Sequence, residues 1–364
     1  MSKEFFNRPF TEDTNVKLEL YREYLKKWFP VFLAAHRPFV QIVNLFDLFC
    51  GTGRDSEGTA GSPIIALEVL KEFEDLVKTT KVQINLFFND QNKQYLEQLD
   101  QNINKLGYDR ENISINFHNE DFVELFPKLL PNTKKAANLM FLDQFGIKYV
   151  NKERFKALIE LPVTDLMFFI SSSTFNRFPN DPNVVDIIGM DSQQIKDTPF
   201  YDIHRLVHEK YSDLIPKNHS YGLAPFSIRK GTNIYGLIFG SGHPLGLEKF
   251  LEICWGLDGV TGEANFDIQG DQKIQLQPSL FEEDNKQKKI SKFEDSLRSK
   301  ILDGTLKTDI DVFLFALNNG FIARHVIPVI KEMKASKLIR VSNPSFKCST
   351  VWKKSREPKQ IEIL

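Results

Sequence analysis

Cysteine is scarce in this 364-residue chain: Cys50, Cys254 and Cys348 stand far apart, without disulfide or metal-ligand spacing. That excludes a disulfide-stapled scaffold and fits a reducing compartment, where thiols are small buried hydrophobes. No apolar run approaches the length that spans a bilayer. The opening "MSKEFFNRPFTEDTN" has no apolar core of the signal-peptide kind, so a cytoplasmic location and no membrane contact are expected. No Ser-His-Asp or Cys-His hydrolase pattern and no internal repeat is present. His204 and His208 stand four apart on a predicted helix, facing the same way, but no third ligand has a convincing spacing, so no metal is expected.

What is present describes an ordinary globular protein, with 41% hydrophobic and 26% charged residues, and more than one average domain's length. A net charge of −1 hides an asymmetry. From Lys286 onward there are 17 Lys and Arg against eight Asp and Glu, a charge of +9, which leaves −10 on the remainder. A basic tail on an acidic body points to two modules with different partners; the alternative is a solvated basic face on a small helical domain.

Residues 14–36 carry apolar residues at helical spacing, predicting one or two helices that lead into the core. Five apolar strands follow, at 41–49, 83–90, 113–122, 137–146 and 164–173. Helices intervene, the first at 62–77 with Ser62 as its cap and Pro63 as its first residue. Strands this apolar are buried on both faces, which demands a parallel sheet covered by helices, a doubly wound α/β architecture. After a helical insertion at about 175–219, "SYGLAPFSIRKGTNIYGLIFGSG" (220–242) reads as an antiparallel hairpin. A Rossmann-like sheet ending in such a hairpin is the layout of class I S-adenosylmethionine (SAM) methyltransferases. "GSGHPLG" (240–246) then turns the chain into a helix around "LEKFLEICW".

Domains are expected at 1–38 (N-terminal helices), 39–268 (the sheet) and 290–364, with 269–289 as a polar linker. The last contains three helices, at 290–302, 308–320 and 322–339, the second capped by Thr308 and ended by Gly320. Residues 340–354 read as a ribbon around an Asn-Pro turn. That is a winged helix-turn-helix with 322–339 in the recognition position. Arg324, Lys331, Lys334 and Lys337 are its candidate nucleic-acid contacts, to DNA or RNA; the alternative is a solvated face of a dimerising or partner-binding winged helix.

The chemistry-bearing motif is "DLFCGTG" (47–53). Gly51 and Gly53 let the backbone pass close to a cofactor. Asp47 and Phe49 stand near the end of the first strand, where open α/β sheets bind ligands. An acid there suits the cationic sulfonium or amino group of SAM better than a pyrophosphate. Eleven residues (51–61) precede the helix cap, a departure from G-x-G-x-x-G that also disfavours NAD. Asp90 closes the second strand, placed to accept ribose hydroxyls. Asp121 follows the third, placed to accept from an adenine amino group, with Phe122 against the ring. Each acid alone is as readily a helix cap or turn. The fourth strand ends in "FLDQFG" (141–146), where amino-methyltransferases place D-P-P-aromatic. Asp143 and Phe145 are candidates to position an acceptor, with Gln144 beside them. Asn176 and Arg177, in "SSSTFNRF" (171–178), lie at the same rim, and Cys50 is expected to pack rather than react. Acidic strand ends can also ligate magnesium, as in a phosphodiesterase, but the glycine loop argues against that.

The runs "VKLELYREYLKKWF", "FDLFCGTG" and "GSPIIALEVL", then "FLDQFG" and the tail "FEDSLRSKILDG…IARHVIPVIKEMKASKLIRV", resemble the three-Cys-motif partner family, TcmP. The resemblance covers most of the chain in order, and "GSP" after the glycine loop is its most specific part. It implies a methyltransferase-like fold and association with a separate three-Cys-motif protein resembling radical-SAM enzymes, in a setting such as phage–host conflict or nucleic-acid modification. Family members usually show a D-P-F-G element and a G-P-G loop where this chain has Asp143-Gln144-Phe145-Gly146 and Gly51-Thr52-Gly53. Two expectations follow: a SAM-dependent methyltransferase acting on or with nucleic acid, or a non-catalytic SAM-fold adaptor joining its partner to nucleic acid.

Overall fold

In the computed structural model the described residues are 9–35, 39–107, 112–144, 146–268, 288–353 and 355–364. The chain divides into two compact units, residues 1–221 with 227–242, and residues 222–226 with 243–364. No helix among the described residues is long and apolar enough to cross a membrane.

In the first unit one helix, α1 (Glu12–Leu33), runs through Pro30 and precedes alternating strands and helices. These are β1 (Ile42–Asp47), α2 (Ser62–Glu72), α3 (Glu74–Thr79), β2 (Gln83–Asn89), α4 (Lys93–Asn104), β3 (Ile113–His118), α5 (Phe122–Thr133), β4 (Ala137–Leu142), α6 (Lys152–Ile159) and β5 (Thr164–Ile170). The insertion holds α7 (Ser172–Arg177), α8 (Pro182–Val185), α9 (Ser192–Asp197) and α10 (Ile203–Asp213), followed by β6 (Gly222–Lys230) and β7 (Asn233–Ser241). The cap of α2 is Gly61 rather than Ser62, because Gly61 takes the extended conformation and Ser62 is already helical.

The strands form one sheet in the order β3-β2-β1-β4-β5-β7-β6. The first five are mutually parallel and β7 runs antiparallel to β5. The turn between β6 and β7 is Gly231-Thr232, and Gly231 has φ +55°. This is the Rossmann-like methyltransferase fold, with the order reversing at β1 and β4 so that a crevice opens at their C-terminal ends. Every residue of β4 is buried, as a strand covered on both faces requires.

One polar row crosses this apolar interior. Asn85, Asn44, Asn138 and Thr164 stand opposite one another on β2, β1, β4 and β5. Asn85 donates to Asn44 Oδ1 at 2.9 Å, Asn44 to Asn138 Oδ1 at 3.0 Å, and Asn138 to Thr164 Oγ1 at 3.1 Å. A slip of one residue would leave these amides buried and unpaired, at about 1–3 kcal/mol each, so the row fixes the register.

The buried stripe of α1, including Tyr21, Tyr24, Leu25 and Trp28, recurs every three or four residues and packs on the sheet. Tyr21 lies 4.2 Å from the Phe141 ring and Tyr24 lies 4.7 Å from Phe239. Tyr24 donates to Asp165 at 2.6 Å, and Arg22 pairs with Glu68 of α2 at 2.6 Å. His204 of α10 is fully buried; its Nδ1 bonds the Ser172 hydroxyl at 2.8 Å and its Nε2 the Leu237 carbonyl at 3.1 Å. The carbonyl can only accept, so Nε2 carries the proton. Burial holds the ring neutral, with its pKa pushed down to about 3. His204 thus ties the insertion to the sheet.

The second unit contains α11 (Pro244–Leu257), α12 (Lys288–Leu302), α13 (Asp309–Asn318), α14 (Ala323–Ala335), β8 (Ile339–Arg340), α15 (Cys348–Val351) and β9 (Glu362–Ile363). Helix α11 belongs here: Trp255 donates to the Gly320 carbonyl at 2.8 Å, and Glu248 accepts from the Cys348 amide at 3.1 Å. Thr308 caps α13 as expected, with Asp311 completing a capping box, and Gly320 follows its end with φ +77°. The ribbon differs from the sequence reading. Its second strand is Glu362–Ile363, and the residues after Asn343-Pro344 pack inward instead, with Phe346, Cys348 and Val351 buried. The tail is held by Asp309, which accepts from Arg356 and from the amides of Ser345 and Lys359. The linker expected at 269–289 lies outside the described residues except for Lys288 and Lys289, which open α12.

Candidate cofactor site

The segment after β1 is built by its glycines. Gly51 and Gly53 have φ +59° and +75°, which disfavour any side chain with a β-carbon. A Cβ on Gly53 would also stand 2.5 Å from the Leu99 side chain. The Gly61 amide donates to the Gly53 carbonyl at 2.7 Å, so the loop folds back to start α2 against its own glycine. Asp55 ties the loop further, accepting from the amides of Glu57 and Thr59 and from Phe10 at 2.7 Å.

A cavity of about 320 Å³ opens at this edge, lined by residues that include Phe49, Cys50, Gly53, Asp90, Phe122 and Asp143. The volume lies in the range that holds small ligands. Asp90 is anchored from below: Oδ2 accepts from the Gly51 amide at 3.2 Å and Oδ1 from the Asn92 amide at 2.8 Å. Burial raises its pKa above the ordinary value, and those two bonds work against the rise. Phe49, Phe122 and Tyr149 form a cluster with ring centroids 5.1–5.6 Å apart.

Asp47 lies beneath the lining with no exposed surface. Neither carboxylate oxygen receives a hydrogen bond of good geometry, although the Ser62 hydroxyl and the Phe49 amide lie near enough to favour its charged form in part and so oppose the rise in its pKa. Burial, reinforced by Asp143 and Asp90, raises its pKa from 3.8 to about 7. A carboxyl whose folded pKa exceeds its unfolded value stabilises the fold at low pH and loses that contribution as pH rises. Stability is therefore expected to fall between pH 3.8 and about 7 and to level off above, by on the order of 4 kcal/mol. Urea midpoints across that range check this, and Asp47→Asn should flatten the profile.

Asp121 does not line the cavity. It caps α5, accepting from the Val123 amide at 2.7 Å, and its other oxygen receives the Gln91 amide group. It acts on the wall through Gln91, which does line the cavity. Cys50 is buried, and burial pushes its thiol well up, so it packs.

Asp143 follows β4 and pairs with Lys17 of α1. Lys17 also stands 5.3 Å from the centre of the Phe169 ring. Gln144 is 5% exposed, and its Oε1 accepts from the amides of Tyr149 at 2.8 Å and Val150 at 3.2 Å. It shapes the following loop; its Nε2 has no acceptor among the described residues. Phe145 lies outside the described residues. A second cavity of about 230 Å³ shares Thr14, Lys17 and Asp143 with the first.

Sequence reasoning missed Lys17, Thr14 and Tyr149. Thr14, Lys17, Leu18 and Tyr21 fall on one helical face, a signal that α1 presents a mixed polar and apolar stripe, but nothing local says to what. Among the described residues no group of three or more His, Cys, Asp and Glu could hold a metal ion. In the second unit Lys331, Lys334 and Lys337 are exposed. Arg324 is engaged, donating to the Trp255 carbonyl at 3.0 Å with its guanidinium 5.3 Å from the Trp255 ring centre.

Residues 264–346 match the family model of a GMT-like wHTH domain, so the C-terminal part contains a winged helix domain. No curated protein matches the chain. Solved structures similar to it include three proteins described as methyltransferases. A candidate O-methyltransferase from Klebsiella pneumoniae is 10% identical, with 64% of this chain and 90% of that one covered and a TM-score of 0.33. A SAM-dependent methyltransferase from Agrobacterium tumefaciens is 12% identical, with 64% and 62% covered and a TM-score of 0.34. A candidate methyltransferase from Escherichia coli is 14% identical, with 65% and 90% covered and a TM-score of 0.30.

Proposed function

We propose that the sheet unit binds SAM and works as a methyltransferase on or with nucleic acid. The observation that carries this reading is the cavity at the reversal point of the sheet, with anchored Asp90 on one wall, an aromatic cluster on another and buried Asp47 below. The residues fit the group. Asp90 offers a carboxylate to two ribose hydroxyls, and Phe49, Phe122 and Tyr149 offer apolar faces to adenine. The unpaired Asp47 gains from a nearby cation, which its burial otherwise denies it. When bound, the cofactor supplies a methyl carbon activated by positive sulfur. The protein's own work is to align an acceptor beside that carbon and to take its proton, a role for Asp143.

Calorimetry with SAM and S-adenosylhomocysteine tests the binding; one site per chain is expected. A cation beside Asp47 lowers its pKa, so SAM should bind more tightly as pH rises through about 7, and the uncharged sulfur of S-adenosylhomocysteine should gain less. No binding of either compound removes the reading. Transfer of a labelled methyl group to total nucleic acid then tests catalysis.

One observation favours the adaptor as a second reading: the Asp143 carboxylate is already paired with Lys17 and the Gln144 carbonyl is taken by the loop. Binding without transfer would select it. In either case the exposed Lys331, Lys334 and Lys337 of the winged helix suit a phosphate backbone. Mobility shifts against ionic strength check that, and no shift at low salt excludes it. The TcmP resemblance supports a cytoplasmic three-Cys-motif partner, which co-purification from native cells would reveal.

A further inference from the structure

Helix α14 stands in the position that reads bases in a helix-turn-helix, where the N-terminal residues of the second helix meet base edges in the major groove. Here that end is already occupied. Arg324 donates to the Trp255 carbonyl of α11 at 3.0 Å, and its guanidinium stands 5.3 Å from the Trp255 ring centre. His325 lies 4.1 Å from the same ring, and Trp255 donates to the Gly320 carbonyl just before α14. The exposed positions that follow are Ile327 and Pro328, whose side chains have no hydrogen-bonding group. Ile327 can touch a thymine methyl and no more. Charge returns only at the other end of the helix. Lys331, Lys334 and Lys337 are exposed there, three residues apart, and in no ion pair among the described residues. Glu332, the acid among them, is taken by Arg298 of α12 at 2.6 Å.

We propose that the winged helix holds duplex DNA by its phosphates without reading its sequence; this rests on the nucleic-acid part of the proposed function and makes it more specific. Lysine contacts to phosphate carry affinity and orientation but no sequence information. Charge complementarity favours a polyanion, since the chain from Lys286 onward carries +9. A B-form major groove is wide enough to admit the side of a helix, whereas the deep, narrow groove of A-form RNA is not, so the duplex is DNA. Any choice of target then falls to the sheet unit.

The test uses the full chain and fluorescence anisotropy on labelled duplexes of equal length. Unrelated DNA sequences should bind within about tenfold of one another, whereas a base reader separates them by about a hundredfold or more. A randomised duplex pool carried through repeated selection should yield no enriched motif. Affinity should fall with salt, and Lys331→Ala, Lys334→Ala and Lys337→Ala should each reduce the slope of log affinity against log salt by about 0.9, alike on every sequence. All three positions are exposed, so the variants should fold. A wider spread among sequences, an enriched motif or tighter binding of duplex RNA overturns the proposal, as does an unchanged salt slope in the triple variant. No binding of any duplex at low salt removes the nucleic-acid reading, and the proposal with it, while leaving the cofactor reading in place.

Discussion

Gly236→Ala is expected to destabilise the protein by about 3 kcal/mol or more, the high end of the overpacking range. The added Cβ would stand 1.7–2.2 Å from the His204 ring. That ring cannot withdraw cheaply, because leaving breaks its bonds to the Ser172 hydroxyl and the Leu237 carbonyl, both buried. The urea midpoint measures the loss. In a His204→Ala background the same substitution meets empty space, so its cost should largely disappear, a coupling that a double-mutant cycle reads directly. Equal costs in the two backgrounds would show that the ring does not set the spacing between α10 and β7.

Asp90→Ala should weaken SAM binding about a hundredfold, the loss of a charged group making two hydrogen bonds. Asp90→Asn should fall between, since its amide keeps one acceptor oxygen. The informative comparison is Asp121→Ala. Asp121 caps α5 and does not line the cavity, so the change should lower stability by about 1 kcal/mol with a much smaller effect on SAM affinity. Calorimetry on the three variants separates the roles. An Asp121 effect as large as that of Asp90 would mean that the adenosyl group lies nearer α5 than the cavity indicates.

The contrast between those two acids shows what could be seen in the amino-acid order. Asp90 and Asp121 occupy equivalent places after β2 and β3, and position alone assigns both to the ligand. Their separation depends on a cap bond and on Gln91, which no spacing announces. The loop at Gly51 and Gly53 was legible because its positive φ angles restrict residue type locally. The parallel, helix-covered sheet was legible because doubly apolar strands alternate with helices. Lys17 was not, since its partner Asp143 lies 126 residues away and a lysine on an amphipathic helix ordinarily faces water. The second strand of the ribbon was hidden for a similar reason. Glu362–Ile363 is too short to show alternation, and it is placed by Asp309 gripping Arg356 and Lys359 from another helix.

The three buried thiols offer an internal chronometer. Cys50 lies in the first compact unit, and Cys254 and Cys348 lie in the second. The thiols are at most 4% exposed, so an alkylating reagent reaches them chiefly when the surrounding region opens, and the order in which they are labelled reports which unit breathes first. A bound adenosyl ligand should then slow modification of Cys50 while leaving the labelling of the other two as the reference clock.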